Sequence, residues 1–175
     1  GGGRLSIDAL AESLRHDTAL VSVMAANNEI GMLQPLEAIG ALCADRGIWF
    51  HSDATQAVGK VPFNVDSLQL DAVSLSAHKL YGPKGIGALY VRRQSPKGRL
   101  GALIHGGGHE QGLRSGTLNV PAIVGFGAAC AIAKKEMAAE DRRLKELRDT
   151  LWGRLQAALS HIELNGDLED RLAGN

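Results

Sequence analysis

The stretch SAHKLYGPKG, residues 76–85, places a lysine in a glycine-rich turn directly after the apolar run AVSLS, residues 72–76. The apolar run predicts a buried strand, and the turn residues end it. Lysine is costly to bury, so Lys79 taken alone is more often a solvated surface residue than a functional group. Whether Lys79 has a functional role therefore depends on which side chains the neighbouring segments place at the same end of the sheet.

Short apolar runs and amphipathic segments alternate along the chain. Strands are predicted within residues 19–25, 48–54, 71–77 and 86–93, and helices over residues 6–15 and 35–47. The first helix would be capped by Ser6, and the second would begin at Pro35 and end at Gly47. Strands alternating with helices predict an α/β fold with a mostly parallel sheet.

Residues 120–159 form a nearly continuous helical pattern, which we expect to be broken or bent near Glu140. The segment from Arg93 to Asn119 is long and rich in glycine, and loops of that length in compact domains are often functional. A helix as long as the one that follows could connect two domains.

Composition narrows the classes of partner. Among 175 residues, 45% are hydrophobic and only 4% aromatic, and 19 Lys and Arg balance 19 Asp and Glu. A net charge of zero argues against nucleic acid as the main partner. The sequence has no apolar run of about 18 residues and no secretory signal pattern, so no membrane partner is predicted. Cys43 and Cys130 form no disulfide framework, which favours a reducing cytoplasm.

Polar side chains follow the ends of three predicted strands. In open parallel sheets, ligands bind beyond the carboxyl ends of the strands, so these residues can converge on one pocket. They are Asn27 and Asn28 after the first strand, Asp53 and Gln56 after the second, and Ser76, His78 and Lys79 after the third.

This set of residue types suits pyridoxal phosphate (PLP). A partly desolvated lysine such as Lys79 can form a Schiff base with an aldehyde, and an aspartate such as Asp53 can pair with a protonated ring nitrogen. Ser76 and His78 could donate hydrogen bonds to a phosphate. The alternative for Asp53 is that it only caps the following turn.

Two competing motifs are weaker. His105 and His109 in HGGGHE could suggest a metal site, but the glycines between them disfavour a helix and no third ligand is evident, so no metal is predicted. Ser76 and Lys79 match the S-x-x-K signature of penicillin-binding acylases, but that signature belongs at the start of a helix and K-T-G is absent.

Several stretches together resemble cysteine desulfurases of the NifS/IscS type, which are class V aminotransferases among the fold-type I PLP enzymes. The resemblance covers essentially the whole chain from about Arg4. It is carried by ANNEIG, HSDATQAVGK, SLSAHKLYGPKGIGALYVRR, HGGGHEQGLRSGT and LNGDLED.

The resemblance implies a role for each matching residue. Lys79 would hold PLP covalently and Asp53 would pair with its pyridinium nitrogen. Gln56 would hydrogen-bond the phenolic oxygen, with Asn28 beside it near the substrate. Ser76 and His78 would bind the phosphate, and Thr117 would reach the phosphate of the partner subunit's cofactor, which implies a homodimer with shared active sites.

The implied reaction removes sulfur from L-cysteine and gives L-alanine and an enzyme persulfide. The sulfur would pass to an acceptor or scaffold protein for iron–sulfur cluster assembly or thiolation. Another class V enzyme, such as a selenocysteine lyase or an aminotransferase, is the nearest alternative. A non-catalytic fragment that binds partners or dimerises is the alternative from another class.

The family's nucleophilic cysteine lies in a motif near SGSAC, which does not occur here, and neither Cys43 nor Cys130 matches it. The chain therefore resembles a central fragment. Residues 1–135 would be the C-terminal part of the PLP-binding large domain, and residues 136–175 the linking helix and the beginning of the small domain.

We expect the isolated 175-residue chain to release no sulfide from L-cysteine, because the thiol that would receive the sulfur is not among the matching motifs. A sulfide assay on the purified chain checks this expectation. Sulfide production above that of free PLP with cysteine would contradict it.

Overall fold

The structure is a computed structural model that describes residues 2–93, 97 and 100–175. The α-helices and strands occur along the chain in the order that the sequence predicts. They are α1 (Ile7–Ser13), β1 (Leu20–Met24), α2 (Leu36–Asp45), β2 (Trp49–Asp53), β3 (Ala72–Ser76), a 3₁₀ turn (Ala77–Leu80), β4 (Gly87–Val91), a second 3₁₀ turn (Glu110–Gly112) and α3 (Val120–Ala158).

The strands form a four-stranded sheet in the order β1-β2-β3-β4. The first three strands are parallel, and β4 returns antiparallel to β3. The predicted α/β class with a mostly parallel sheet is therefore confirmed. Parallel neighbours need a crossover connection, and α2 provides the one between β1 and β2.

The core lies on one face of the sheet. Val21, Phe50 and Val73 point to that face from three neighbouring strands and pack with Ile39 and Cys43 of α2. Alternate residues of the strands point the other way, and this second face is more exposed, with Leu20, Met24 and Leu89 at least 40% exposed. The alternation gives the sheet one packed face and one open face.

Local signals set the ends of the first two helices. The Ser6 hydroxyl accepts a hydrogen bond from the Ala9 amide at 3.2 Å, as an N-cap does. Pro35 precedes the first residue of α2, and Gly47 follows the helix with a φ of +66°. These positions confirm the predicted helix boundaries to within about two residues.

The predicted break near Glu140 is wrong, because α3 runs unbroken from Val120 to Ala158; a bend there stays a prediction. Residues 137–148 contain neither glycine nor proline, and Glu140 forms a hydrogen-bonded ion pair with Arg143 one turn along the helix. Neighbouring charges of opposite sign at this spacing support a helix. Within the described residues, no helix is both long and apolar enough to cross a lipid bilayer.

The segment after α3 returns to the loop that follows β1. The Leu33 amide donates to the Asp170 carbonyl at 2.8 Å, and the Leu172 amide donates to the Gly31 carbonyl at 3.0 Å. Leu172 is 4% exposed and belongs to the core cluster. An ion pair between Arg4 and Asp170 ties the two ends of the chain together.

The first turns of α3 hold the glycine-rich turn that follows β3. Phe126 and Ala129 pack with Ala77 and Leu80 in a second, smaller apolar cluster. The glycine-rich turn can approach α3 closely because small residues lie between them. A β-carbon at Gly125 would lie 2.7 Å from Cγ of Pro83. The same turn therefore depends on both the sheet and α3 for its position.

Two glycine substitutions in α3 separate close packing from helix propensity. Gly127→Ala adds a methyl group to open space and is expected to raise the free energy of unfolding by about 0.5–1 kcal/mol. Gly125→Ala gains the same propensity but pushes against Pro83, so we expect a net loss of about 1 kcal/mol or more. Urea denaturation of both variants measures the difference, and equal stabilities would contradict the packing role of Gly125.

Candidate functional site

The carboxyl ends of the three parallel strands lie side by side. Met24 pairs with Asp53, and Asp53 pairs with Ser74. Main-chain hydrogen bonds continue this alignment beyond the strands, because the Ala25 amide donates to the Asp53 carbonyl at 2.8 Å and the Ala54 amide to the Ser74 carbonyl at 3.0 Å. The residues that follow each strand therefore emerge at one edge of the sheet.

Lys79 lies in the 3₁₀ turn Ala77–Leu80, which we call the Lys79 turn. Ala77 and Leu80 are buried beneath it, whereas His78 and Lys79 are exposed. Tyr81 ends the turn with a φ of +60°, a left-handed conformation that is uncommon for a residue with a side chain. The buried side chains of Ala77 and Leu80 thus hold the backbone of the turn, and Lys79 between them is exposed to solvent.

Ser76 ends β3 and is hydrogen-bonded to the His78 ring, with Oγ and Nδ1 separated by 2.8 Å. The pair therefore forms a local unit with a hydroxyl and an imidazole on the same side of the Lys79 turn. This partner also weakens the acylase interpretation, since there the Ser76 hydroxyl would face Lys79 rather than His78.

Asp53 is the last residue of β2 and is exposed. One carboxylate oxygen accepts a hydrogen bond from the Thr55 amide at 2.9 Å. The residue therefore does cap the following turn, as the alternative interpretation expected, and it also presents a negative charge at the same edge as Lys79. Its two possible roles are compatible.

Gln56 follows in the turn after β2 and is half-buried. Its side-chain oxygen accepts a hydrogen bond from Lys60 Nζ at 2.9 Å. Burial is the main cause that lowers the pKa of Lys60, and the positive charge of Lys79 lowers it further. Gly59, which precedes Lys60, packs directly against Leu80, which follows Lys79. Gln56, Lys60 and Lys79 therefore belong to one neighbourhood.

Sequence reasoning did not identify Lys60 as part of this site. Its four-residue spacing from Gln56 was the available signal, but that spacing predicts contact only in a helix, and residues 55–60 are turns.

Asn28 and Thr117 lie in two other loops of the chain. Asn28 is exposed in the loop after β1, whose fold is set by the Asn27 side chain accepting from the Glu29 and Ile30 amides at 2.9 Å. Thr117 is exposed just before α3. Within the part of the chain that the structure describes, no hydrogen bond joins Thr117 to the other candidate residues.

An open groove of about 570 Å³ lies at the start of α2, against the segment 61–63, and is lined by none of the candidate residues. The candidate residues instead lie on an open part of the surface. The polar groups needed for chemistry are thus gathered at the strand ends, while the groove is lined mainly by apolar side chains.

Neither cysteine has the environment of a nucleophile. Cys43 is buried in the core and Cys130 is exposed on α3. Burial raises the pKa of the Cys43 thiol, and partial desolvation raises the pKa of the Cys130 thiol on α3, so less of the reactive thiolate is present at neutral pH.

The strand-end residues fit PLP by their chemistry. They supply one exposed amine for the aldehyde, one carboxylate for the ring nitrogen, one amide, and a hydroxyl–imidazole pair for the phosphate. The structure does not itself assign these roles, but every type of group that the cofactor needs occurs along this edge of the sheet.

Comparisons with known proteins agree with this fold. The aminotransferase class-V family profile matches residues 1–174. Cysteine desulfurase IscS of Serratia proteamaculans (strain 568) is 55% identical over 168 residues, which cover 96% of this chain and 41% of that protein. The chain thus spans about two fifths of the length of the curated relatives it matches.

Solved structures show the same fold. A NifS-like protein superposes with a TM-score of 0.90 at 41% identity, covering 98% of this chain and 46% of its own. The structure of SspA in complex with cysteine superposes with a TM-score of 0.70 at 46% identity, covering 74% of this chain and 37% of its own. These matches confirm the fold that the resemblance implied.

The electrostatic coupling of the two lysines can be tested directly. Lys79→Ala is expected to raise the pKa of Lys60 toward its ordinary value of 10.5, because one of the two causes that lower it is removed. The residual lowering comes from burial. NMR titration of isotope-labelled lysine side chains measures the shift.

Lys84→Ala is the matched control, since Lys84 lies in the same turn region but is not among the groups that lower the pKa of Lys60. The control should leave the Lys60 titration unchanged. Equal effects of the two substitutions would contradict a specific interaction between Lys60 and Lys79.

Proposed function

This chain belongs to the aminotransferase class-V family, and we propose that it supplies the lysine-bearing part of the PLP site of a cysteine desulfurase. The observation that carries the proposal is the Lys79 turn, which directly follows β3 at the edge of the sheet where β2 ends with Asp53 and continues to Gln56. The 55% identity to cysteine desulfurase IscS of Serratia proteamaculans supports this activity for the complete protein.

Each strand-end residue has a proposed task toward PLP. Lys79 would attach the cofactor, and Asp53 would hold a negative charge at the ring nitrogen. The amide of Gln56 would donate to the phenolic oxygen, with Asn28 nearby on the substrate side. Ser76 and His78 would bind the phosphate as the hydrogen-bonded pair that the structure describes.

PLP, when bound, supplies an electron sink for the substrate's Cα and Cβ bonds. Lys79 is exposed and can take up and return a proton at Nζ beside the substrate. In the net reaction, L-cysteine and an enzyme thiol give L-alanine and an enzyme persulfide. The C–S bond of the substrate breaks, and an S–S bond to the enzyme sulfur forms.

The thiol that receives sulfur is not Cys43 or Cys130 in this proposal, because desolvation raises the pKa of both. We place it elsewhere in the complete protein, whose relatives are more than twice as long as this chain. The solved structure of SspA in complex with cysteine supports the substrate class.

The domain division and the partners belong to the same proposal. Residues 1–135 would contribute to the large domain, and residues 136–175 would link it to the small domain. Thr117, exposed before α3, would contact the cofactor of a second subunit in a homodimer. The complete enzyme would work in the cytoplasm and pass sulfur to an acceptor protein for iron–sulfur cluster assembly or thiolation.

Trapping the cofactor on the complete protein tests this function. After addition of PLP and reduction with borohydride, peptide mapping is expected to find the pyridoxyl group on Lys79 and not on Lys84. Lys79→Ala should lose the adduct, whereas Lys84→Ala should keep it. Asp53→Ala should weaken PLP binding by about tenfold or more, since a charge-assisted contact is removed.

Adducts scattered over surface lysines, or an adduct that survives Lys79→Ala, would contradict the assignment. Sulfide and alanine formation from L-cysteine by the complete protein then tests the reaction itself. A protein that binds PLP at Lys79 but transfers the amino group, or prefers selenocysteine, would belong to another activity of the same family.

A further inference from the structure

The segment from Gln56 to Lys60 packs against the Lys79 turn. Val58 contacts the apolar cluster that contains Ala77 and Leu80. Gly59 has a φ of +79°, and a β-carbon there would lie 2.1 Å from Cδ2 of Leu80. The absence of a side chain at Gly59 thus lets this segment approach the turn, and it places Lys60 near Lys79.

Lys60 is half-buried at this contact and makes a specific hydrogen bond. Its Nζ lies 2.9 Å from Oε1 of Gln56. An ammonium group can only donate, so its partner on a glutamine amide must be the carbonyl oxygen. Because the amide is planar, the NH₂ group then points away from Lys60, and both of its N–H donors are directed elsewhere.

We infer that Lys60 is a positioning residue that fixes the side-chain amide of Gln56, so that its NH₂ group is presented to an acceptor oxygen of the cofactor. This inference rests on the proposed function, because it concerns the proposed PLP site. Without Lys60, the amide could turn over and present its oxygen to that acceptor, which would replace an attraction with a repulsion.

The hydrogen bond to Gln56 also stabilises the charged form of Lys60, which its surroundings disfavour. Burial and the charge of Lys79 both disfavour the charged form of Lys60 and lower its pKa. A buried ammonium needs acceptors to compensate for lost hydration, and the Gln56 carbonyl provides one. The two side chains therefore hold each other in one arrangement.

The test uses the complete protein loaded with PLP and compares Lys60→Met, Lys60→Arg, Gln56→Ala and the Lys60→Met/Gln56→Ala double variant. Two quantities are measured: the dissociation constant for PLP and the position of the visible absorption band of the bound cofactor. Circular dichroism confirms that each variant is folded. The absorption band reports hydrogen bonding to the ring, which a general loss of stability would not shift.

Lys60→Met is expected to weaken PLP binding by about tenfold and to shift the absorption band, as the loss of one oriented hydrogen bond would do. Gln56→Ala should give a similar change. The double variant should be no worse than Gln56→Ala alone, because Lys60 acts through Gln56. Lys60→Arg, which keeps a donor for the Gln56 carbonyl, should retain most of the wild-type affinity and spectrum.

Two results would overturn the inference while leaving the proposed function intact. One is a Lys60→Met variant with wild-type affinity and spectrum. The other is a double variant whose losses add, which would mean that Lys60 acts independently of Gln56. Failure of the wild-type protein to hold PLP on Lys79 would instead overturn the proposed function and, with it, this inference.

Discussion

The alignment of three parallel strand ends is the constraint on which the candidate site depends. Parallel pairing fixes Met24, Asp53 and Ser74 in one row, and the main-chain bonds from Ala25 to Asp53 and from Ala54 to Ser74 carry that row beyond the strands. A shift in register of one residue would turn Asp53 toward the packed face of the sheet. The core side chains on that face therefore also determine where the polar groups emerge.

The Lys79 turn explains how an exposed lysine can directly follow a buried strand. Ala77 and Leu80 are buried against α3, so the backbone between them is held while the lysine remains exposed. Small residues allow this, since Gly59 and Gly125 bring neighbouring segments within contact of Leu80 and Pro83. A lysine on a rigidly held backbone suits a reaction in which the amine must occupy one position relative to its reaction partner.

The sequence was sufficient for the strands, the first two helices and the fold class, because apolar periodicity and end signals such as Ser6 and Gly47 are local. The sequence prediction failed at Glu140, where a break was expected although opposite charges at i and i+3 support the helix. Sequence reasoning also missed Lys60. Its hydrogen bond to Gln56 and its interaction with the charge of Lys79 arise because the loop after β2 packs against the turn after β3. Periodicity predicts which face a residue occupies but not which distant turn it will meet.

The distribution of charge supports an anionic ligand at this edge of the sheet. The chain as a whole has no net charge, yet Lys79 and Lys60 lie close enough that one lowers the pKa of the other. His78 lies in the same turn as Lys79, with Ser76 as its hydrogen-bond partner. Placing like charges together costs free energy, and that cost falls when a negatively charged group lies between them. Under the proposed function, a phosphate-bearing cofactor whose ring oxygen is also an acceptor would relieve this repulsion, and the Gln56–Lys60 contact and the Ser76–His78 pair would serve the same ligand.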